Sequence, residues 1–285
     1  MAELPTNDEI IGALDAAGFL LEQKVAVALD GAGFAVRVAA SYLDPDEGKS
    51  REIDVIGVKE IVGPRSDECR ALHVVPIECK STPMPYVAFL RDWHQRDREN
   101  LPWEVVLNGL PRIGMDGGGE PWITLGLQVE WETHRINVAA RGEQLVRVER
   151  KGSKFAARNV LLEVGMPAIK AAHDLRRVYG GSGNVILFPA AVVSGTVFSI
   201  SSEDIENSEL VERDFVTVAC EVSSNWMTHG YRRNHFDIVA YDRLTRWLEH
   251  MNNVTYRIGA CLQYRSGNTP CIESALSVNS SPLIV

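Results

Sequence analysis

An α/β fold is what the order of periodicities along this 285-residue chain predicts. Three observations carry it. Two stretches near the start, Asn7–Ala17 and Phe19–Asp30, place apolar residues at helical spacing: Ile10, Ile11, Leu14 and Ala17, then Leu21, Val25, Ala28 and Leu29. Short runs rich in β-branched residues follow at 34–40, Arg51–Glu60, Ala71–Lys80, Val185–Val193, Asp214–Val222 and Phe236–Tyr241. Between the third and fourth of these runs, a long helical pattern is expected over Ser153–Tyr179.

Taken in order, Thr6 or Asn7 caps the first helix, with Asp8 and Glu9 in the turn where the helix dipole favours anions. Gly31 and Gly33 close the second. Glu22 lies on the flank of its apolar stripe and reads either as a solvated edge residue or as a site residue. The runs 51–60 and 71–80 form a hairpin with a long tip containing Gly63, Pro64, Ser66 and Asp67. A polar loop, Asp44–Lys49, precedes it, and Pro83 and Pro85 stop the chain abruptly after Lys80. Because strand side chains alternate, Glu78 and Lys80 share a face while Cys79 joins Ile77 and Val75 on the other. Asp54 sits between Ile53 and Val55, which are expected on the face opposite to it.

Residues 101–152 carry little pattern: a glycine-rich loop at Gly114–Gly119, and strand-like runs at Thr124–Val129 and Arg135–Val138. The segment Arg91–Asn100, with Trp93 and His94, reads as a solvated face. In Arg147–Arg158 basic residues outnumber acidic ones five to one. That run reads as a phosphate contact beside a helix N-terminus capped by Ser153, or as a solvated surface run. Gly180–Asn184 ends the long helix, and Val185–Val193 suits a central strand. A short helix is expected over Asp242–His250, and an edge hairpin and loose tail after Asn252.

Composition narrows the function classes. The acidic start, M-A-E-L-P-T-N-D-E, has no apolar signal region, and no run approaches the ~20 apolar residues of a membrane span. Five cysteines without a C-x-x-C pair argue for reduced thiols, so a cytoplasmic location is expected. A net charge of −9 counts against a surface given over to phosphate binding, but leaves a local basic groove open. The histidines at 73, 94, 134, 173, 229, 235 and 250 are dispersed, and the G-G-S-G at 180–183 lacks the lysine of a phosphate loop.

What remains is a charged constellation inside apolar strands. Burying Asp54, Glu78 and Lys80 costs several kcal/mol unless something compensates, and a divalent cation would do so. Without one, neighbouring carboxylates repel, and the pocket is expected to be strained or partly protonated.

Three pieces, L-L-E-Q-K-V-A-V-A-L-D-G-A-G-F at Leu20–Phe34, R-E-I-D-V-I-G at Arg51–Gly57 and P-I-E-C-K-S-T at Pro76–Thr82, resemble the PD-(D/E)xK phosphodiesterase superfamily in its helix-Glu variety, found among prokaryotic restriction and defence nucleases. Ile53 stands where the family name has a proline, and 24 positions separate Asp54 from Glu78. The resemblance implies a restriction-endonuclease-like core, an α-β-β-β-α-β mixed sheet flanked by helices, with an insertion and extra C-terminal strands. It would make residues 1–285 one nuclease-like domain: core 7–95 and 150–195, insertion 100–150, C-terminal extension 196–285.

It further implies a Mg²⁺-dependent endonuclease, with Mn²⁺ as substitute, in restriction or phage defence. Asp54, Glu78 and the Cys79 carbonyl would bind the ion, and Glu22 would hold a water or a second ion. Lys80 would orient or deprotonate the attacking water. DNA is the expected polymer and RNA the alternative, since backbone hydrolysis uses the same residues on either. Cutting both strands of a duplex would favour a homodimer or a partner subunit. From another class comes a catalytically silent module of the same fold that binds nucleic acid or protein.

Overall fold

The computed structural model describes residues 4–62, 70–92, 105–106, 140–180, 184–203, 205–221 and 233–263. Helix α1 (Asn7–Ala16) starts at the expected cap: Thr6 Oγ1 accepts from the Glu9 N–H at 3.3 Å, and Glu9 Oε2 accepts from the Thr6 N–H at 2.8 Å. It buries none of its residues, and Ile10, Ile11 and Leu14 stay exposed. Helix α2 (Phe19–Gly31) follows through Gly18, whose φ of +91° is the left-handed turn that reverses the chain between the helices.

Strands β1 (Ala35–Leu43), β2 (Ser50–Val62) and β3 (Arg70–Lys80) form an antiparallel meander; the sequence predicts the three strands and the β2–β3 hairpin, and the structure adds the β1–β2 pairing. The hairpin tip, 63–69, lies outside the described residues. The loop after β1 is fastened to the sheet's helical cover. Asp44, 3% exposed, accepts from the backbone N–H groups of Asp46 and Glu47 and from Lys170 Nζ at 2.9 Å. Strand β4 (Tyr86–Asp92) is unforeseen in the sequence, and a two-residue strand, β5 (Val105–Val106), lies in the segment that carries little pattern. The runs at Gly114–Gly119, Thr124–Val129 and Arg135–Val138, and residues 93–100, fall outside the described residues.

The helix expected from Ser153 begins instead at Leu161. Residues 147–158 belong to a β-hairpin, β6 (Ala140–Lys151) with β7 (Lys154–Asn159), whose register pairs Lys151 with Lys154. Gly152 has φ +62°, the positive value a two-residue hairpin turn needs at its first central position. The alternation Leu145, Arg147, Glu149 and Val146, Val148 is the strand signal that the basic composition masks. Ser153 therefore sits in a turn, and residues 150–159 are not part of the helical core. Helix α3 (Leu161–Tyr179) is preceded by Val160, and Asn159 Oδ1 accepts from the Leu161 N–H at 3.0 Å.

The run 185–193 is two strands, β8 (Asn184–Leu187) and β9 (Ala190–Val193), divided where Pro189 offers no N–H to a ladder. Both pair parallel to β3. Then come β10 (Val197–Ser201), β11 (Val211–Arg213), β12 (Phe215–Glu221) and β13 (Arg233–Ala240). A 3-10 turn at Tyr241–Arg243 leads into α4 (Leu244–Gln263). That helix runs well past His250 and replaces the hairpin expected after Asn252. Leu244, Trp247, Leu248, Met251 and Val254 bury one continuous stripe across position 252. The expected tail, 264–285, lies outside the described residues.

Among the described residues, thirteen strands join in one mixed sheet, with the central order β1-β2-β3-β9-β13-β12-β6-β4-β10-β11. The fold is α/β, a large mixed sheet flanked by helices. Helix α3 covers one face, packing Val164, Ala168, Ile169 and Ala172 against Ile56, Val74, Val193 and Ile238. Helices α2 and α4 cover the other, over Val55, Val75, Ile77, Ile186 and Val192. The side chain of Asp237 bridges strands and helix from within. It accepts from Thr217 Oγ1 at 2.7 Å and from Trp247 Nε1 at 2.9 Å. No described helix is long and apolar enough to cross a membrane.

Candidate functional site

The ladder between β2 and β3 ends at the pair Val55–Ile77. Continuing that register by one step would set Asp54 opposite Glu78. There the two strands part. β2 stays with β1 as far as Ser50, and β3 stays with β9 as far as Lys80. Backbone groups on the inner edges lose their ladder partners at the fork, and the side chain of Asp54 supplies a substitute. Its Oδ2 accepts from the Cys79 N–H at 2.6 Å. A carboxylate accepting a backbone N–H is a charge-assisted bond, so it fixes the width of the fork as well as its direction.

Simple alternation fails at this point. Ile53 and Val55, two residues apart and both fully buried, enter different cores: Ile53 packs with Ala40 and Tyr42 on the α3 side, Val55 with Leu29 and Val75 on the α2 side. Neighbouring Ala39 in β1 has φ +52°, and Ala39 and Asp54 are the one position the β1–β2 register omits. The strand pair turns over here. Asp54 sits at that crossover and not on one flat face opposite both neighbours.

Across the fork, Lys80 Nζ donates to Glu78 Oε1 at 2.6 Å, the side chains being 26% and 12% exposed. The two share a strand face as alternation requires, and Cys79 packs with Val75 and Ile77 on the other. Glu22 stands at the N-terminal turn of α2. A methyl group at Gly18 would lie 3.8 Å from Ser81 Cβ and 4.0 Å from the Glu22 carboxylate, so the helix start and the end of β3 meet there. Ser81 Oγ ties the junction by donating to the Asp15 carbonyl at 3.0 Å.

The electrostatics show that all four predicted side chains share one field. Burial, then the Asp54 charge, pushes the Glu78 carboxyl up to about 7, against the pull of Lys80. Asp54 is raised, first by burial, although the Cys79 N–H and Lys80 oppose this. Glu22 is raised by burial, then by Asp54 and by Glu52. Burial draws Lys80 down, but its hydrogen bond and charge contacts with Glu78, Asp54 and Glu163 outweigh that and leave it raised. All three carboxylates are raised first by burial and further by one another's charge, with Lys80 the one cation opposing this. Repulsion between carboxylates, expected from the sequence, contributes to the shift at Glu78, but burial is the larger cause.

Two neighbours, Glu52 and Tyr86, were not singled out in the sequence, and a third, Arg147, entered only as the start of a basic run. Glu52 is two residues from Asp54, a spacing that could have flagged it, and adds negative charge to both Asp54 and Glu22. Tyr86 and Arg147 face each other across β4 and β6, and both act electrostatically with Glu163 or Lys80 at the α3 side of the fork. Their proximity depends on strand pairings that no local pattern announces.

As donors, Asp54, Glu78 and Glu22 suit a hard divalent cation, being oxygen ligands in a field that favours added positive charge. Among the described residues, however, no three His, Cys, Asp or Glu side chains are grouped so as to hold a metal ion. Asp54 and Glu78 each give one oxygen to a hydrogen-bond donor instead. Comparison with family models, with curated proteins and with solved structures returns no match.

Proposed function

We propose that the chain is a metal-dependent phosphodiesterase, a Mg²⁺-dependent endonuclease acting on DNA, with a restriction-endonuclease-like core formed by α2, β1, β2, β3, α3 and β8–β9. The observation that carries this reading is the fork itself. Asp54 and Glu78 flank the point where β2 and β3 separate, with Lys80 bonded to Glu78. The meander followed by a helix and a strand parallel to β3 supports the same reading of the core.

Asp54, Glu78 and the Cys79 carbonyl would hold the ion, with Glu22 at its edge. Mg²⁺ or Mn²⁺ there would offset charge on the scissile phosphate and lower the pKa of a bound water. The chain's own part falls to Lys80. As an ammonium held by Glu78 it would orient the attacking water and offset charge on the phosphate by donating hydrogen bonds, and with a cation beside it lowering its pKa it could also help remove the water's proton. A homodimer or a partner subunit would allow both strands of a duplex to be cut, in keeping with a restriction or phage-defence role.

A second reading has its own support. With Lys80 bonded to Glu78 and Asp54 bonded to the Cys79 N–H, the same geometry suits a catalytically silent module that keeps the fold and binds nucleic acid or protein. Incubation with single- and double-stranded DNA and RNA, in Mg²⁺, Mn²⁺ or EDTA, separates the two. Cation-dependent cleavage supports the nuclease and names the polymer. Intact polymers in every lane support the silent module.

A further inference from the structure

The β6–β7 hairpin presents a cationic face that touches the hydrolytic site only at its foot, through Arg147. Alternation sets Arg147, Glu149 and Lys151 on one side of β6, and the register sets Arg158, Ala156 and Lys154 directly across from them. The two strands place four cations and one carboxylate there, in a chain whose net charge is −9; Glu163 of α3 adds a second carboxylate at the foot, where Arg147 is largely buried, so the accessible positive charge lies toward the tip. The strand carboxylate is already engaged: Glu149 Oε1 is 2.5 Å from Arg147 Nη2 and 4.0 Å from Arg158 Nη1.

At the tip, Lys151 and Lys154 oppose each other, both exposed, and neither is ion-paired among the described residues. Like charges directly across a strand pair repel, so the hairpin end is held in an unfavourable state that an anion would relieve. At the foot, Arg158 Nη2 reaches Glu163 at 2.7 Å and Arg147 Nη1 reaches it at 3.6 Å. Glu163 in turn lies within electrostatic reach of Lys80. The stripe thus runs from the free end of the hairpin to the edge of the fork. Four residues of extended strand span about 13 Å, roughly the axial length of four phosphates on one strand of a duplex at ~3.4 Å each.

We propose that this face of the hairpin is a backbone-binding arm that takes consecutive phosphates of a nucleic acid and leads the chain to Lys80. The inference rests on reading the fork as a phosphodiester-cleaving centre. The arm binds the sugar-phosphate backbone, not base edges, and so gives affinity without sequence preference.

The test is fluorescence anisotropy of labelled 20-nucleotide single- and double-stranded DNA and RNA in EDTA, where nothing is cut, over a range of salt. The exposed pair is changed to Lys151→Glu/Lys154→Glu, and separately to Lys151→Gln/Lys154→Gln, with thermal melts confirming the fold. The reversal should weaken binding at least tenfold on whichever polymers the wild type binds. The neutral pair should weaken it less, and should flatten the salt dependence on duplex by about two in slope. Unchanged affinity and slope in both variants, or no binding of any polymer by the wild-type chain, overturns the proposal. Salt-dependent binding that the variants lose, in a protein that cleaves nothing, would sink the nuclease and leave the arm standing.

Discussion

The Asp54 carboxylate takes the hydrogen bond that a ladder partner would otherwise receive from the Cys79 N–H, at 2.6 Å, Asp54 lying one residue and Cys79 two residues beyond the last β2–β3 pair. A side chain thereby caps the end of a sheet ladder and is held where Glu78 comes opposite. The bond explains how an acidic residue in mid-strand is tolerated, and it leaves the second oxygen of Asp54 for another role.

Asp54→Asn tests that role with little disturbance, because the amide oxygen can still accept from the Cys79 N–H. Calorimetric titration with Mn²⁺ or Mg²⁺ should show affinity at least tenfold weaker in the variant, with a near-native melting temperature. Equal affinity would remove Asp54 from the ligand set.

Glu78 makes stability depend on pH in a stated direction. Its folded-state value of about 7 lies above the ordinary 4.5, so the folded chain keeps a proton that the unfolded chain releases. Its contribution is therefore neutral below about pH 4.5 and increasingly destabilising up to about pH 7, on the order of 3 kcal/mol at most. Thermal melts of the protein in EDTA should show this decline, and Glu78→Gln should flatten it. A parallel decline in the variant would place the cause elsewhere.

Two glycines should respond oppositely to alanine. A Cβ on Gly165 of α3 would sit 2.2 Å from the ring of Phe236, which is 1% exposed and cannot swing away. Gly165→Ala should cost about 2–3 kcal/mol and lower Tm by several degrees. Gly12 in α1 has open space around it, and Gly12→Ala should stabilise by about 0.5–1 kcal/mol. A neutral Gly165→Ala would contradict the close seating of α3 on the sheet.

Removing the indole donor in Trp247→Phe takes one hydrogen bond from the buried Asp237. A loss of about 1–3 kcal/mol in denaturant unfolding is expected. An unchanged midpoint would mean that Thr217 and the strand neighbours suffice to hold the carboxylate.

The parts of the fold set by local pattern were legible in the sequence. Thr6 or Asn7 as cap, with Asp8 and Glu9 in the first turn, announced α1, and the β-branched runs on either side of Gly63–Asp67 announced β2 and β3. Asp54, Glu78 and Lys80, chosen for their residue types and strand context, and Glu22, chosen from the family resemblance, share one electrostatic neighbourhood. What escaped depends on distant partners. The hairpin β6–β7 hid behind a basic composition, and α4 ran past a polar stretch because Met251 and Val254 continue its buried face. The turnover at Asp54 needs the positive φ of Ala39, which nothing in an alanine foretells.

The central claim is tested most directly by Lys80→Ala. Lys80 is partly exposed at the end of β3 but is the ion-pair partner of the buried Glu78, so its truncation should leave the fold intact with a melting temperature lowered by several degrees, cleavage being measured well below that melt. Cleavage of plasmid DNA or RNA in Mg²⁺ should be abolished, while the wild type cleaves in Mg²⁺ and not in EDTA. Cleavage by the variant at the wild-type rate would contradict the account.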